Sequence, residues 1–243
     1  EKLPLLIAAS KLSREVEGLI SDASALALTE NPLLLESLSR EIVLDFEKIQ
    51  GLILQLKSGN VKYAIDLSKK SQQIFENLRA LLHLMEMDVD LKQRILQLSI
   101  YMRRTSETLT LEYASEEETQ VRPIRELFLQ AFSLLRDVPN ISDRQRLEEY
   151  QSQVQELQEI IDGTLREEHL ETAPFDTYSR TLNRYGLGEK GLLALSKIHL
   201  RQKTLIEDRL SQITLLSGEL VKKSEHLFSA ISHKIQQESQ KFT

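Results

Sequence analysis

VKYAIDLSKKSQQIFENLRALLHLMEMDVDLKQRILQLSIYMRRTSETLTLEY, residues 61–113, decides the fold. The stretch runs for more than fifty residues without a proline, and Ile65, Ile74, Leu78, Leu81, Met85, Ile95, Leu98, Met102 and Leu109 recur along it at helical spacing. A second stretch of the same kind runs from about 189 to 243, lined by Ile198, Ile206, Leu210, Ile213, Leu216, Leu220, Leu227, Ile231 and Ile235. At about 1.5 Å per residue, each predicts a rod of roughly 80 Å. The first rod is locally more polar at Met87-Asp88-Val89-Asp90, where one bundle could give way to another.

Shorter helices surround the rods. One is predicted from about Pro4 to Thr29, with Leu5, Ala9, Leu12, Val16, Leu19, Ala23 and Leu26 spaced alternately four and three. Asn31-Pro32 turns the chain, because the residue before proline avoids the helical region. Leu35, Leu38, Ile42, Phe46, Ile49, Ile53 and Leu56 then stripe a helix over about 33–57, which Ser58-Gly59-Asn60 stops. After the acidic run Glu116-Glu117-Glu118, Pro123 opens a helix over about 122–136 that turns Ile124, Leu127, Phe128, Ala131, Phe132 and Leu135 inward. Val138-Pro139-Asn140 ends it, and Ser142 with Gln145 reads as a capping box for the next helix. That helix carries Leu147, Tyr150, Val154, Leu157, Ile161 and Leu165. Turn chemistry gathers between Glu171 and Gly188, with a short helix predicted near Thr177 to Arg184.

These lengths predict an all-α protein: two stacked four-helix bundles sharing the two long helices, about 61–113 and 189–243. Every apolar stripe then finds neighbours, as bundle packing requires. Composition agrees, since 41% of residues are hydrophobic and 28% charged, with only 8 glycines and 5 prolines. The 31 basic residues against 37 acidic form no basic stripe with interleaved aromatics, so nucleic acid is not an expected partner. Absence of cysteine excludes disulfides and thiolate chemistry. No apolar run approaches the roughly twenty residues that span a bilayer. The chain opens on Glu1-Lys2-Leu3-Pro4 and closes within a helical pattern at Gln240-Lys241-Phe242-Thr243, which reads as a piece of a longer protein.

Leu3-Pro4-Leu5-Leu6 leads to Ile20-Ser21-Asp22-Ala23-Ser24-Ala25-Leu26-Ala27 and then to Asn31-Pro32. With these motifs and a six-helix order in which the rods come third and sixth, the chain resembles the periplasmic sensor module of the trimethylamine-N-oxide-responsive hybrid histidine kinase. Helical bimodular ligand-binding modules of bacterial chemoreceptors share the plan. The resemblance implies a non-catalytic domain held between two transmembrane helices of a dimeric receptor, one before Glu1 and one after Thr243. It implies a periplasmic binding protein as partner, a homodimer, no cofactor, and a signal passed along the last helix toward a cytoplasmic kinase. Residues 1–88 with 214–243 would form the membrane-proximal bundle and 89–213 the membrane-distal one. Two alternatives stand beside it: a chemoreceptor module that binds a small organic acid directly, and a cytoplasmic helical scaffold.

His226 and His233 lie seven apart, whereas metal sites favour pairs such as four apart with a carboxylate nearby, so no metal is expected. No phosphate loop or nucleophile motif occurs, and no catalytic residue is expected. An anionic ligand held between helices would need inward arginines, for which Arg125, Arg180, Arg184 and Arg201 are available. For a protein partner, Pro174, Phe175, Tyr178 and Tyr185 stand on a non-repeating connection, and aromatics anchor interfaces. They could equally cap the bundle core. Gly18, Gly51 and Gly218 interrupt helices at about 1 kcal/mol each relative to alanine, either to keep helices pliable or to let helices approach closely.

Overall fold

The computed structural model of the chain describes residues 2–57, 61–112, 121–168 and 173–240. Ser58-Gly59-Asn60, Tyr113, the Glu116–Glu118 run, His169, Glu171 and the final Lys241-Phe242-Thr243 lie outside them. Among the described residues there is no strand. The helices are α1 (Lys2–Leu28), α2 (Pro32–Lys57), α3 (Val61–Glu112), α4 (Arg122–Asp137), α5 (Arg144–Glu167), α6 (Ala173–Thr181) and α7 (Leu192–Gln240). A 3-10 turn, Val138–Asn140, separates α4 from α5, and a π-wound segment, Leu182–Leu187, follows α6. The two rods of the sequence are therefore unbroken helices of 52 and 49 residues. The second begins at Leu192 rather than Glu189, because the Gly188–Gly191 turn precedes it. The short helix near Thr177 starts earlier, at Ala173, and hands over to the wider π winding at Leu182.

Local chemistry sets these boundaries. Asn31 Oδ1 accepts from the Leu33 amide at 3.0 Å, and Pro32 takes the first helical position of α2, where a missing N–H costs nothing. The α5 cap is Asp143, not Ser142: its carboxylate accepts from the amides of Gln145 and Arg146. A charged acceptor one residue later meets the same orphan amides, so the capping box predicted from Ser142 and Gln145 does not form.

The chain divides into two units, residues 1–89 with 204–243, and residues 90–203. Unit 1 is built from α1, α2, the first part of α3 and the last part of α7. Its core alternates three and four along each helix: Leu12, Val16, Leu19, Ala23 and Leu26 from α1; Leu35, Leu38, Ile42, Ile49, Ile53 and Leu56 from α2. In α3 the inward positions are Ala64, Leu67, Ser71, Ile74, Leu78, Leu81, Met85 and Asp88. Ile65, expected in that stripe from its spacing, is 61% exposed, since the smaller Ala64 holds the inward place. Phe46 of α2 stacks on Phe75 of α3 with centroids 4.0 Å apart. Polar ties cross the seams: Ser224 Oγ donates to the Ala9 carbonyl at 2.7 Å, Gln50 Nε2 donates to Ser71 Oγ at 2.8 Å, and Arg209 Nη1 donates to Asn77 Oδ1 at 2.8 Å. Lys70 pairs with Glu219, and Lys223 with Asp66.

Unit 2 uses the remainder of α3, α4, α5, α6 and the start of α7. Its core is Leu91, Ile95, Met102 and Leu109 from α3, with Ile124, Phe128, Phe132 and Leu135 from α4, Leu147, Val154 and Ile161 from α5, and Leu192 and Leu193 from α7. Ile198, predicted to line α7, is 47% exposed, while the buried positions nearby are Ser196 and Gln202.

One carboxyl pair in unit 1 makes stability depend on pH. Burial first, and then the hydrogen bond and repulsion from Asp45, hold the Asp22 carboxyl above its ordinary value of 3.8. Lys48 donates to Asp45 Oδ1 at 2.6 Å and offsets only part of this. Folded Asp22 thus keeps its proton to higher pH than unfolded Asp22, so its ionisation opposes folding as pH climbs from 3.8 through the raised value. Asp22→Asn is expected to raise the melting temperature at about pH 7 and to give no gain at about pH 3. Thermal melts by circular dichroism check this; an equal shift at both pH values would contradict it.

Candidate functional site

The connection from α6 to α7 in unit 2 is the least regular part of the described chain, and three glycines shape it. A Cβ on Gly186 would lie 2.7 Å from Leu135 Cδ1, so α4 seats a leucine directly on this backbone. A Cβ on Gly188 would lie 2.5 Å from the Arg184 carbonyl oxygen, and one on Gly191 2.8 Å from that of Gly186. Backbone contact this close at Gly188 and Gly191 admits no side chain, while at Gly186 the neighbour is the Leu135 side chain. The Gly191 amide donates to the Gly188 carbonyl at 2.8 Å and closes the turn into α7. Single π turns inside helices recur at functional sites.

This winding presents a cluster on the surface of unit 2. The Tyr185 ring meets Tyr101 of α3 edge-on at 5.2 Å, and the Arg184 guanidinium lies 5.3 Å from the Tyr185 centroid. Tyr101 is 43% exposed, Tyr185 is half-buried, and Asn183 and Arg184 are exposed. Tyrosine and arginine together are the composition of an interface anchor. A half-buried polar network ties α6 to α5: Gln158 Nε2 donates to Asp162 Oδ1 at 2.6 Å and to Ser179 Oγ at 3.1 Å, and Ser179 Oγ donates to Asp162 Oδ1 at 3.1 Å.

The four residues singled out for partner contact are divided by the structure. Phe175 and Tyr178 turn inward, 2% and 7% exposed. Phe175 stacks parallel to Phe128 at 6.1 Å, and Tyr178 packs between Phe128 at 5.9 Å and Phe132 at 6.5 Å. In this arrangement they fill core volume and offer no ring to a partner. Pro174 is exposed at the start of α6, and Tyr185 belongs to the surface cluster. Tyr101 was missed; an aromatic beside the inward Met102 on an otherwise polar turn was the available signal.

The inward arginines needed for direct ligand binding do not gather. Arg180, Arg184 and Arg201 are exposed, Arg180 pairs with Asp176 one turn back, and Arg125 is half-buried. Among the described residues no three of His, Cys, Asp and Glu come together as metal ligands, and His226 and His233 are both exposed. No described helix is long and apolar enough to cross a membrane.

No protein-family model matches the chain, and no curated protein sequence matches it. Solved structures do. The TorS sensor domain in its complex with TorT in the presence of TMAO superposes with a TM-score of 0.77 at 15% identity, over 94% of this chain and 99% of that one. The V. parahaemolyticus histidine kinase sensor TorS sensor domain matches with a TM-score of 0.72 at 17% identity, over 96% of this chain and 99% of that one. This chain has the TorS sensor-domain fold. The likeness runs through both units and includes both long helices.

Around Gly18, Gly51 and Gly218 nothing lies within 4 Å of a built Cβ, so close helix approach does not account for them. Alanine at Gly51 or Gly218 is expected to stabilise by up to about 1 kcal/mol. Alanine at Gly186, driven against Leu135, is expected to cost about 1–3 kcal/mol. Urea unfolding of the three variants checks the contrast, and a loss at Gly51 or Gly218 as large as that at Gly186 would contradict it.

Proposed function

We propose that this chain is the extracytoplasmic sensor domain of a transmembrane histidine kinase, itself non-catalytic, which receives its signal through a periplasmic binding protein. The observation that carries this reading is the fold likeness, along 94% of the chain, to a sensor domain solved together with its partner. That relative was captured with TMAO, and a small solute of the same class, held by the binding protein, is the proposed stimulus.

In this reading unit 1, which holds both chain ends, is membrane-proximal and unit 2 is membrane-distal. The partner docks on unit 2 at Tyr101, Arg184, Tyr185 and Pro174. Docking favours one packing of the α6–α7 connection over another, and α7 carries the difference as a small slide or rotation between discrete packings. Gly51 and Gly218, lying in helices of unit 1 where an alanine would fit, supply the pliability such a shift uses. A homodimer is part of the proposal. The outer face of α2 supports it, since Leu33, Val43, Leu44 and Leu54 are exposed there, opposite the buried Leu35, Ile42 and Ile49.

A photo-crosslinking residue at Asn183 of the full-length receptor in living cells is expected to capture a periplasmic solute-binding protein, and one at Glu47 is not. Failure at Asn183, together with calorimetric binding of a small organic acid by the isolated domain, would overturn the partner-mediated reading.

A further inference from the structure

Unit 1 ends, where α1 begins and α7 finishes, in a cavity of about 120 Å3. Four helices contribute to it. Leu5, Leu56, Leu227 and Ile231 make an apolar wall, and Tyr63 of α3 adds a phenol ring. Two lysines, Lys2 and Lys234, complete the lining. Lys2 already pairs with Glu238 of α7, whereas Lys234 has no acidic partner among the described residues. Two ammonium groups beside one apolar hollow repel each other unless an anion stands between them.

We infer that this cavity is a binding site for a small amphiphilic anion. The apolar part enters among Leu5, Leu56, Leu227 and Ile231, and the carboxylate or phosphate takes charge-assisted hydrogen bonds from Lys234 and Lys2. Size supports the class: a dry apolar cavity of about 150 Å3 accepts benzene, so the hollow suits a short acyl chain or one small ring. Acetate has no tail to bury there, and an alcohol of the right length leaves the lysines unanswered. Such a ligand joins the first turn of α1 to the last turns of α7 and so would favour one relative position of those two ends. The site is defined by unit 1 alone, and it stands or falls independently of the partner proposed for unit 2.

The chemistry has two sources, a free short-chain carboxylate or a single-chain anionic lipid, and the experiment separates them. Isothermal titration of the domain with hexanoate is expected to show saturable binding that acetate and hexanol lack. Lys234→Gln, an exposed position, is expected to weaken it about tenfold. Ala230→Leu, which adds bulk to the lining, is expected to abolish it while thermal melting stays cooperative. Lysophosphatidylglycerol micelles that displace hexanoate would assign a lipid source; micelles that leave it bound would assign the free acid. No hexanoate binding, equal binding of hexanol, or unchanged binding by Lys234→Gln would overturn the inference.

Discussion

Two helices must each bury an inward stripe in two different cores. α3 gives Leu67, Ile74, Leu78, Leu81 and Met85 to unit 1, then Leu91, Ile95, Met102 and Leu109 to unit 2. α7 gives Leu192 and Leu193 to unit 2, then Ile206, Ile213, Leu220 and Leu227 to unit 1. Isolated helices owe little stability to propensity and most of it to packing of an apolar face. The uninterrupted winding of α3 and α7 therefore depends on inward residues arriving every three or four positions over their whole length. α1, α2, α4 and α5 each serve one core only, and their shorter lengths follow from that.

The seams are not uniformly apolar. Ser71, Ser217 and Ser224 occupy fully inward positions of α3 and α7, and Ser196 and Gln202 do so nearer the start of α7. Ser224 is tied to the Ala9 carbonyl and Ser71 to Gln50, so these polar positions fix which residues of neighbouring helices face one another. Ser217 Oγ, Ser196 Oγ and Gln202 Oε1 are buried without a hydrogen-bond partner among the described residues. Each unmet group costs about 1–3 kcal/mol in this packing.

Much of this was legible from spacing alone, because large apolar residues on a three-and-four repeat have nowhere else to go. The stripes of α1 and α2 are buried as read, from Ala9 to Leu26 and from Leu35 to Leu56, with Phe46 half-buried against Phe75. Hydropathy misled where size or polarity reversed the usual order. Ala64 displaced Ile65 from the seam, and Ser196 and Gln202 went inward while Ile198 stayed out. The surface cluster was harder to see. Phe175 and Tyr178 looked like interface anchors on an irregular connection, yet the α6 turn rotates both onto Phe128. Tyr101 meets Tyr185 only through tertiary packing, whereas Arg184 adjoins Tyr185 in the chain. The glycines of the connection read as turn signals, while their reason lies in contacts with Leu135 and with neighbouring carbonyls that only the folded chain brings together.

Amide hydrogen exchange along α3 and α7 tests the central claim most directly. If both helices are continuous where one core hands over to the next, amides across 86–92 and 201–207 exchange as slowly as those a turn away on either side. Rapid exchange confined to either stretch, with protection restored beyond it, would show a broken helix and contradict the account.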